Sequence, residues 1–216
     1  GHGHTIIDSH EDLPVEDADL ARLESFELIP FKKAVKSRID FIMTSHILFK
    51  NIDPVWPATL SEFFLKKLLR QDLRYKGLII SDDLDMKAMT KKYSKEFIPL
   101  RALQAGVDVL LYCNEPESVA IACDAIKKSL TANIATHSNS NTSAGSKTNS
   151  GSGSGSGSET IQLNSAEVQD KINRVLQFKK DYFSLWRASE WIDAKNIISC
   201  NEHLQLAESI KNGTPV

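Results

Sequence analysis

The sequence predicts an α/β fold built on a parallel sheet, and three observations carry that expectation. Three short, almost continuously apolar runs, Ile39–Met43, Gly77–Ser81 and Val107–Tyr112, have the character of strands covered on both faces. They recur at intervals of ~30–40 residues, with helical patterns between them, which is the rhythm of repeated βα units. Two polar clusters, Gly1 to His10 and Ser81 to Met86, have the character of segments just beyond strand ends, where α/β folds keep their sites.

The elements follow in order. The chain opens on a loop-like GHGHT. Asp19 to Lys36 reads as helix, with Pro30 as its kink or break. Thr59-Leu60-Ser61-Glu62 has capping-box spacing and puts an N-cap at Thr59. Leu60, Phe64 and Leu68 then continue at helical steps, and Gly77 marks the stop before the second strand. Asp83 is placed to cap a short helix over Leu84 to Met89. Glu96 to Ala105 forms the next helix, closed by Gly106. Glu117 to Ser129 follows the third strand.

Ser138 to Ser158 read SNSNTSAGSKTNSGSGSGSGS, with Ala144 as the one aliphatic side chain. Such a stretch buries too little apolar area to offset the entropy of ordering and is expected to be a flexible linker. Beyond it, Ala166 to Trp186 is amphipathic through Val168, Ile172, Val175, Leu176 and Phe178, and Asn201 to Lys211 is a further helix. The organisation expected is an α/β part over 1–137, a linker over 138–158 and covering helices over 159–216. Three strands are too few to close an eight-stranded barrel, so the chain reads as the C-terminal part of a larger α/β architecture.

Lys and Arg total 26 against 28 Asp and Glu, a net charge of −2 among 216 residues. That balance excludes a general electrostatic grip on nucleic acid and a polybasic membrane anchor. No apolar run approaches the ~20 residues a membrane span requires, and no signal-peptide pattern opens the chain. Cys113, Cys123 and Cys200 are odd in number and form no CxxC pair, so they are expected to be reduced, buried small hydrophobes of a cytoplasmic protein.

Several residues have the makings of chemistry. Asp82 ends an apolar strand, where a carboxylate is costly unless something uses it. Asp8 and His10 have the spacing of an acid/base pair in which the carboxylate orients the imidazole and favours its protonation. His46 follows the first strand in Met43-Thr44-Ser45-His46. A metal-dependent hydrolase is the competing reading, with His2, His4, Asp8 and His10 as ligands, but its spacing is wrong for the usual H-x-H-x-D-H pattern.

GHGHTIIDSH resembles the loop of glycoside hydrolase family 3 β-N-acetylglucosaminidases that runs Gly-His-Gly-x-Thr-x-x-Asp-Ser-His. IMTSHILFKNIDPVWPATLS, LLRQDLRYKGLIISDDLDM and ALQAGVDVLLYCN are similar to later blocks of that family, in the same order and with similar spacing, from residue 1 to about 130. The resemblance implies part of a (β/α)8 TIM barrel and a retaining exo-glycosidase that needs no cofactor or metal. It implies that Asp82 is the nucleophile, His10 the general acid/base and Asp8 its partner, and that His46 and Met86 bind substrate. The implied substrate is a carbohydrate, an N-acetylglucosaminide from muropeptides of cell-wall recycling or from chitooligosaccharides.

The chain departs from that pattern in lacking the Lys-His ahead of the opening motif and the earlier strand-end residues that grip the sugar. The expectation is a fragment that is inactive alone and that needs a missing N-terminal half or self-association. A non-enzymatic reading accompanies it, in which the chain is a remnant used as an interaction module through helices 159–216.

Overall fold

A computed structural model describes residues 2–137, 161–185 and 200–213. The expected linker and Trp186 lie outside the described residues. The chain divides into two units, Gly1–Val175 and Leu176–Val216.

The first unit is α/β, as its strand rhythm predicts. Its main sheet is entirely parallel. β2 (Phe41–Met43), β4 (Leu78–Asp83) and β5 (Val109–Leu111) lie in that order, with β4 in the centre. No closed barrel forms among the described residues. A second small sheet pairs β1 (Val15–Glu16) with β3 (Leu48–Phe49) in parallel. Its strands are two residues each, too short for a periodicity to announce them.

The helices depart from expectation at their ends, each time for a local reason. The first helical stretch divides into Leu20–Ser25 and Leu28–Lys36, and the break falls at Phe26–Glu27. Pro30 sits in the first turn of the second helix, where its missing N–H has no helical partner to lose. Thr59 is not an N-cap. It lies in a 3₁₀ turn over Ala58–Leu60, and the following helix, Phe63–Asp72, is of π type. Ser61 begins it instead: its hydroxyl accepts from the Phe64 N–H at 3.4 Å and its carbonyl from Leu65 at 3.1 Å.

Phe97–Ala105 ends at Gly106, whose φ of +130° suits glycine. Pro116–His137 runs farther than its pattern suggested. Ser165–Leu185 and Asn201–Asn212 follow the amphipathic stretches closely. Among the described residues, no helix is long and apolar enough to cross a membrane.

The main core packs Leu60, Leu65 and Leu69 with Ile79, Ile98 and Val107, so the Phe63–Asp72 and Phe97–Ala105 helices cover the sheet. A second cluster joins Leu103 to Ile161 and Leu163. Ser129 fixes that seam, its hydroxyl donating to the Ile161 carbonyl and accepting from the Leu163 N–H, both at 2.8 Å. The cysteines correct the sequence reading. All three are free thiols, but Cys113 and Cys123 are exposed and Cys200 is half-buried. In the second unit, Phe178 and Tyr182 stack at 6.0 Å and Tyr182 meets Phe183 edge-on.

Polar bonds secure both ends of the main sheet. At the start of β5, the Asp108 carboxylate is buried between the Arg70 and Arg174 guanidiniums and also accepts from the Ile79 N–H at 2.9 Å. Arg70 donates further to the carbonyls of Tyr75 and Gly77. Gly77 is required there, because a Cβ would come within 2.4 Å of the Tyr75 hydroxyl and 2.5 Å of the Asp40 carbonyl.

At the opposite end, His46 is wholly buried. Its Nε2 faces the Asp83 carbonyl at 2.9 Å, and a carbonyl only accepts, so Nε2 carries the proton. Burial pushes the imidazole below the ordinary histidine value, so Nδ1 is bare and accepts from the Thr59 hydroxyl at 2.8 Å. Thr44 then donates to Thr59 at 2.9 Å. The Ser45 carbonyl, at 3.1 Å, is the longer of the two acceptors for the Thr59 hydrogen. This chain binds the end of β2 to the end of β4 and explains why Thr59 is not available as a cap.

Two outcomes are expected. Asp108→Ala leaves two guanidiniums without their buried partner and should cost about 3–5 kcal/mol in urea denaturation. For His46, the unfolded chain takes up a proton at ~6.5 while the native state resists it. Its contribution is therefore complete above that pH and is lost as pH falls from ~6.5 through the lower folded value. Denaturation midpoints measured across that window should decline in the natural protein and decline less in His46→Gln.

Candidate active site

β4 positions the two carboxylates at its end differently. Ile79, Ser81 and Asp83 are buried, while Ile80 and Asp82 are half-exposed, the alternation of a pleated strand. Pairing with β5 shifts between Ile80 and Asp83, and the Ser81 hydroxyl accepts the Leu111 N–H at 2.9 Å across the irregularity. Asp83 stitches the two strand exits, accepting from Cys113 N–H at 3.1 Å, from the Asn114 amide at 2.6 Å and from Asp85 N–H at 3.0 Å. The helix expected to be capped by Asp83 is shorter, Lys87–Thr90, and its N-terminal residue Met86 supplies no side-chain cap.

Asp82 has the opposite role. Its Oδ1 accepts from the Asp83 N–H at 2.8 Å, and its side chain lines a cavity of about 410 Å³. The opening segment contributes His2, Gly3 and His4 to the same wall, and the exit of β2 contributes Met43, Thr44 and Ser45. Phe31, Phe49 and Phe64 make the remainder largely apolar. That volume lies within the ~300–1,000 Å³ of ordinary small-molecule sites.

Asp8 and His10 form the expected pair. The Asp8 Oδ1 bonds both the His10 ring Nδ1 and the His10 backbone N–H, each at 2.9 Å. Those bonds, the backbone one first, hold the Asp8 carboxyl below the usual carboxylate range. The pair stands in solvent, with His10 77% and Asp8 63% exposed at the side chain, and neither lines the Asp82 cavity. Ser9 between them is buried. Its hydroxyl meets His2 Nε2 at 2.8 Å and its carbonyl accepts from Ala88 N–H at 3.3 Å, so the loop is tied to the helix that follows β4.

Two further residues expected at the site, His46 and Met86, do not line the Asp82 cavity. His46 is buried with both ring nitrogens bonded to protein, so it supports the strand ends beneath Asp82. Met86 is 5% exposed and does not line the cavity. The metal reading is corrected too. His2, His4, Asp8 and His10 do not converge, and no three ligating side chains among the described residues could hold an ion. Sequence reasoning had no cavity role for His2 and His4; the signal was their place in the opening segment, two residues apart around Gly3.

Comparison with known proteins gives this geometry a context. Residues 1–144 match the model of the glycosyl hydrolase family 3 N-terminal domain. A β-hexosaminidase of Glaesserella parasuis is 38% identical over 128 residues, which cover 59% of this chain and 37% of that protein. The solved structure of a family 3 β-N-acetylglucosaminidase from Paenibacillus sp. superposes with a TM-score of 0.75 at 27% identity, covering 97% of this chain and 35% of that one. The β-N-acetylglucosaminidase of Thermotoga maritima gives 0.62 at 25% identity, covering 88% and 34%. The chain thus spans little more than a third of the length of these relatives. With two-thirds of its residues inside the family's domain, and with a partial parallel barrel of the same type, the chain belongs to glycosyl hydrolase family 3.

Proposed function

We propose that this chain carries the reacting groups of a retaining exo-β-N-acetylhexosaminidase. The observation that supports this best is the placement of Asp82 at the end of β4, facing a sugar-sized cavity. The opening loop brings an imidazole–carboxylate pair and is tied by Ser9 to the segment that follows Asp82.

In this reading Asp82 attacks the anomeric carbon and forms a covalent glycosyl-enzyme. His10, protonated and oriented by Asp8, gives its proton to the leaving oxygen. It then takes a proton from the water that releases the sugar. Asp8 stays ionised to lower pH than a free carboxylate, which keeps the charge that orients His10. Because the pair stands in solvent, the loop must fold over the cavity for proton transfer, and Ser9 is the point about which it is held. Positioning of a substrate contributes ~7–11 kcal/mol to such reactions. The part of the family barrel beyond this chain, or self-association, would supply the remaining sugar contacts.

The substrate class is a terminal β-N-acetylglucosaminide, from muropeptides or chitooligosaccharides, handled in the cytoplasm. Residues 1–137 are the barrel part, and the helix that opens at Ser165 begins the part that covers it. The Ser129 seam with Ile161 and Leu163 supports that part at its start.

The test is hydrolysis of a chromogenic N-acetylglucosaminide by the chain, alone and with the remaining barrel segment of a relative supplied in trans. Asp82→Ala should lower turnover roughly 10⁴-fold or more. His10→Ala should lower it about 10²–10⁴-fold. A fluorinated glycoside should label Asp82 in peptide mapping. Turnover that survives Asp82→Ala, or label on another residue, would refute the assignment.

A further inference from the structure

Ser9 sits between the two members of the Asp8–His10 pair and is 1% exposed, although both of them stand in solvent. A buried hydroxyl needs a partner for its hydrogen. Among the described residues the Ser9 Oγ has one, the His2 Nε2 at 2.8 Å. The His2 ring lines the Asp82 cavity. The other ties of this loop are weaker. The Ser9 carbonyl accepts the Ala88 N–H at a long 3.3 Å. The Asp12–Lys91 ion pair, at 3.1 Å, is half-exposed on both sides, where such pairs contribute little. The Asp8 carbonyl accepts from the Glu11 and Asp12 N–H groups, which only closes the turn on itself.

The chemistry of the His2–Ser9 contact fixes the proton on the ring. If Nε2 carried a hydrogen and donated it, the Ser9 hydrogen would stay buried with no acceptor. With Nε2 bare, the ring accepts the Ser9 hydrogen and the hydroxyl is satisfied. A neutral imidazole with Nε2 bare holds its proton at Nδ1. No contact printed by the fold demands a proton there, since Nδ1 has no partner among the described residues. The tautomer is dictated from the other side of the ring, by Ser9.

We propose that His2 is a positioning residue, whose Nε2 seats Ser9 and thereby fastens the loop that carries Asp8 and His10 to the wall of the Asp82 cavity. The backbone on either side of Ser9 leads directly to the pair. Displacing Ser9 therefore moves Asp8 and His10 together, while the bonds between them, which lie within three residues, stay intact. His2 touches no reacting atom in this role. The use of the loop in proton transfer rests on the glycosidase reading, whereas the seating of the loop by His2 does not.

The test is nitrogen NMR of the full chain with both histidine ring nitrogens labelled. At about pH 8, above the ordinary histidine value of ~6.5, His2 should show the Nδ1–H form, its signals assigned by their loss in His2→Gln. The Nε2–H form, or an averaged mixture of the two, would overturn the proposal. His2→Ala should speed amide hydrogen exchange at Glu11, Asp12 and Ala88 roughly tenfold or more, as loss of a buried hydrogen bond does. Ile79, whose N–H bonds Asp108 at the other end of the sheet, should keep its rate. His2→Gln offers a side-chain oxygen as acceptor in place of Nε2 and should return the rates to within about threefold of the natural chain. Unchanged rates in His2→Ala, or rates in His2→Gln as fast as in His2→Ala, would count equally against it. The tautomer is read on the natural sequence, so it decides the question even where a variant loses its fold. None of these measurements involves hydrolysis, so turnover that survives Asp82→Ala would sink the glycosidase reading and leave this one standing.

Discussion

Adjacent carboxylates at the end of a strand cannot do the same work, because a pleated strand turns successive side chains to opposite faces. Asp82 and Asp83 are separated by that geometry alone. Asp83 lies on the buried side with Ile79 and Ser81, where an unpaired carboxylate would be costly, and it is satisfied by donors from the exit of β5. Asp82 lies on the side with Ile80 and is left facing the cavity. A register slip of one residue would exchange the two, putting the structural carboxylate into the cavity and the cavity carboxylate into the core. The bond from the Leu111 N–H to the Ser81 hydroxyl and the bond from the Cys113 N–H to the Asp83 carboxylate both hold against such a slip.

The two ends of the sheet are secured by different chemistry. At the strand starts, Asp108 gathers two arginines and a backbone N–H in one buried charged cluster. Such a cluster contributes less to net stability than its Coulomb energy suggests, but it fixes β4, β5 and the Ser165–Leu185 helix in one arrangement. At the strand exits β2 is joined to β4 by a neutral chain from Thr44 through Thr59 and His46 to the Asp83 carbonyl, and β4 to β5 by the Asp83 carboxylate.

Much of this was legible in the residues. The strands lie within two residues of their apolar runs at each end, because a sheet covered on both faces demands continuous apolar sequence. Asp82 was legible as a carboxylate at a strand end, and Asp8 and His10 by their two-residue spacing. What escaped was non-local. Thr59 has the spacing of a cap, but the buried imidazole of His46, thirteen residues earlier in the chain, takes its hydroxyl, and Ser61 begins the helix instead. His46 sits like a ligand-binding residue, yet which atoms its two nitrogens meet depends on Asp83 and Thr59, not on its neighbours in sequence. The exposure of Cys113 and Cys123 has the same origin. Composition favours burial of cysteine, and only the packing at the start of the Pro116–His137 helix decides otherwise.

The same distinction separates the Asp8–His10 pair and the strand-end carboxylate from the wall around Asp82. The Asp8–His10 pair is encoded within three residues, with the His10 backbone N–H and ring Nδ1 both bonded to the Asp8 Oδ1. Asp82 needs only β4 and its two neighbours in the sheet, all within residues 41–111. The cavity wall is different in kind. On this chain it is largely apolar, made by Met43 and the phenylalanines around it, with polar groups at one rim. Asp82, Asp8 and His10 are thus placed by local structure, while the wall around Asp82 is placed by packing between elements far apart in the sequence.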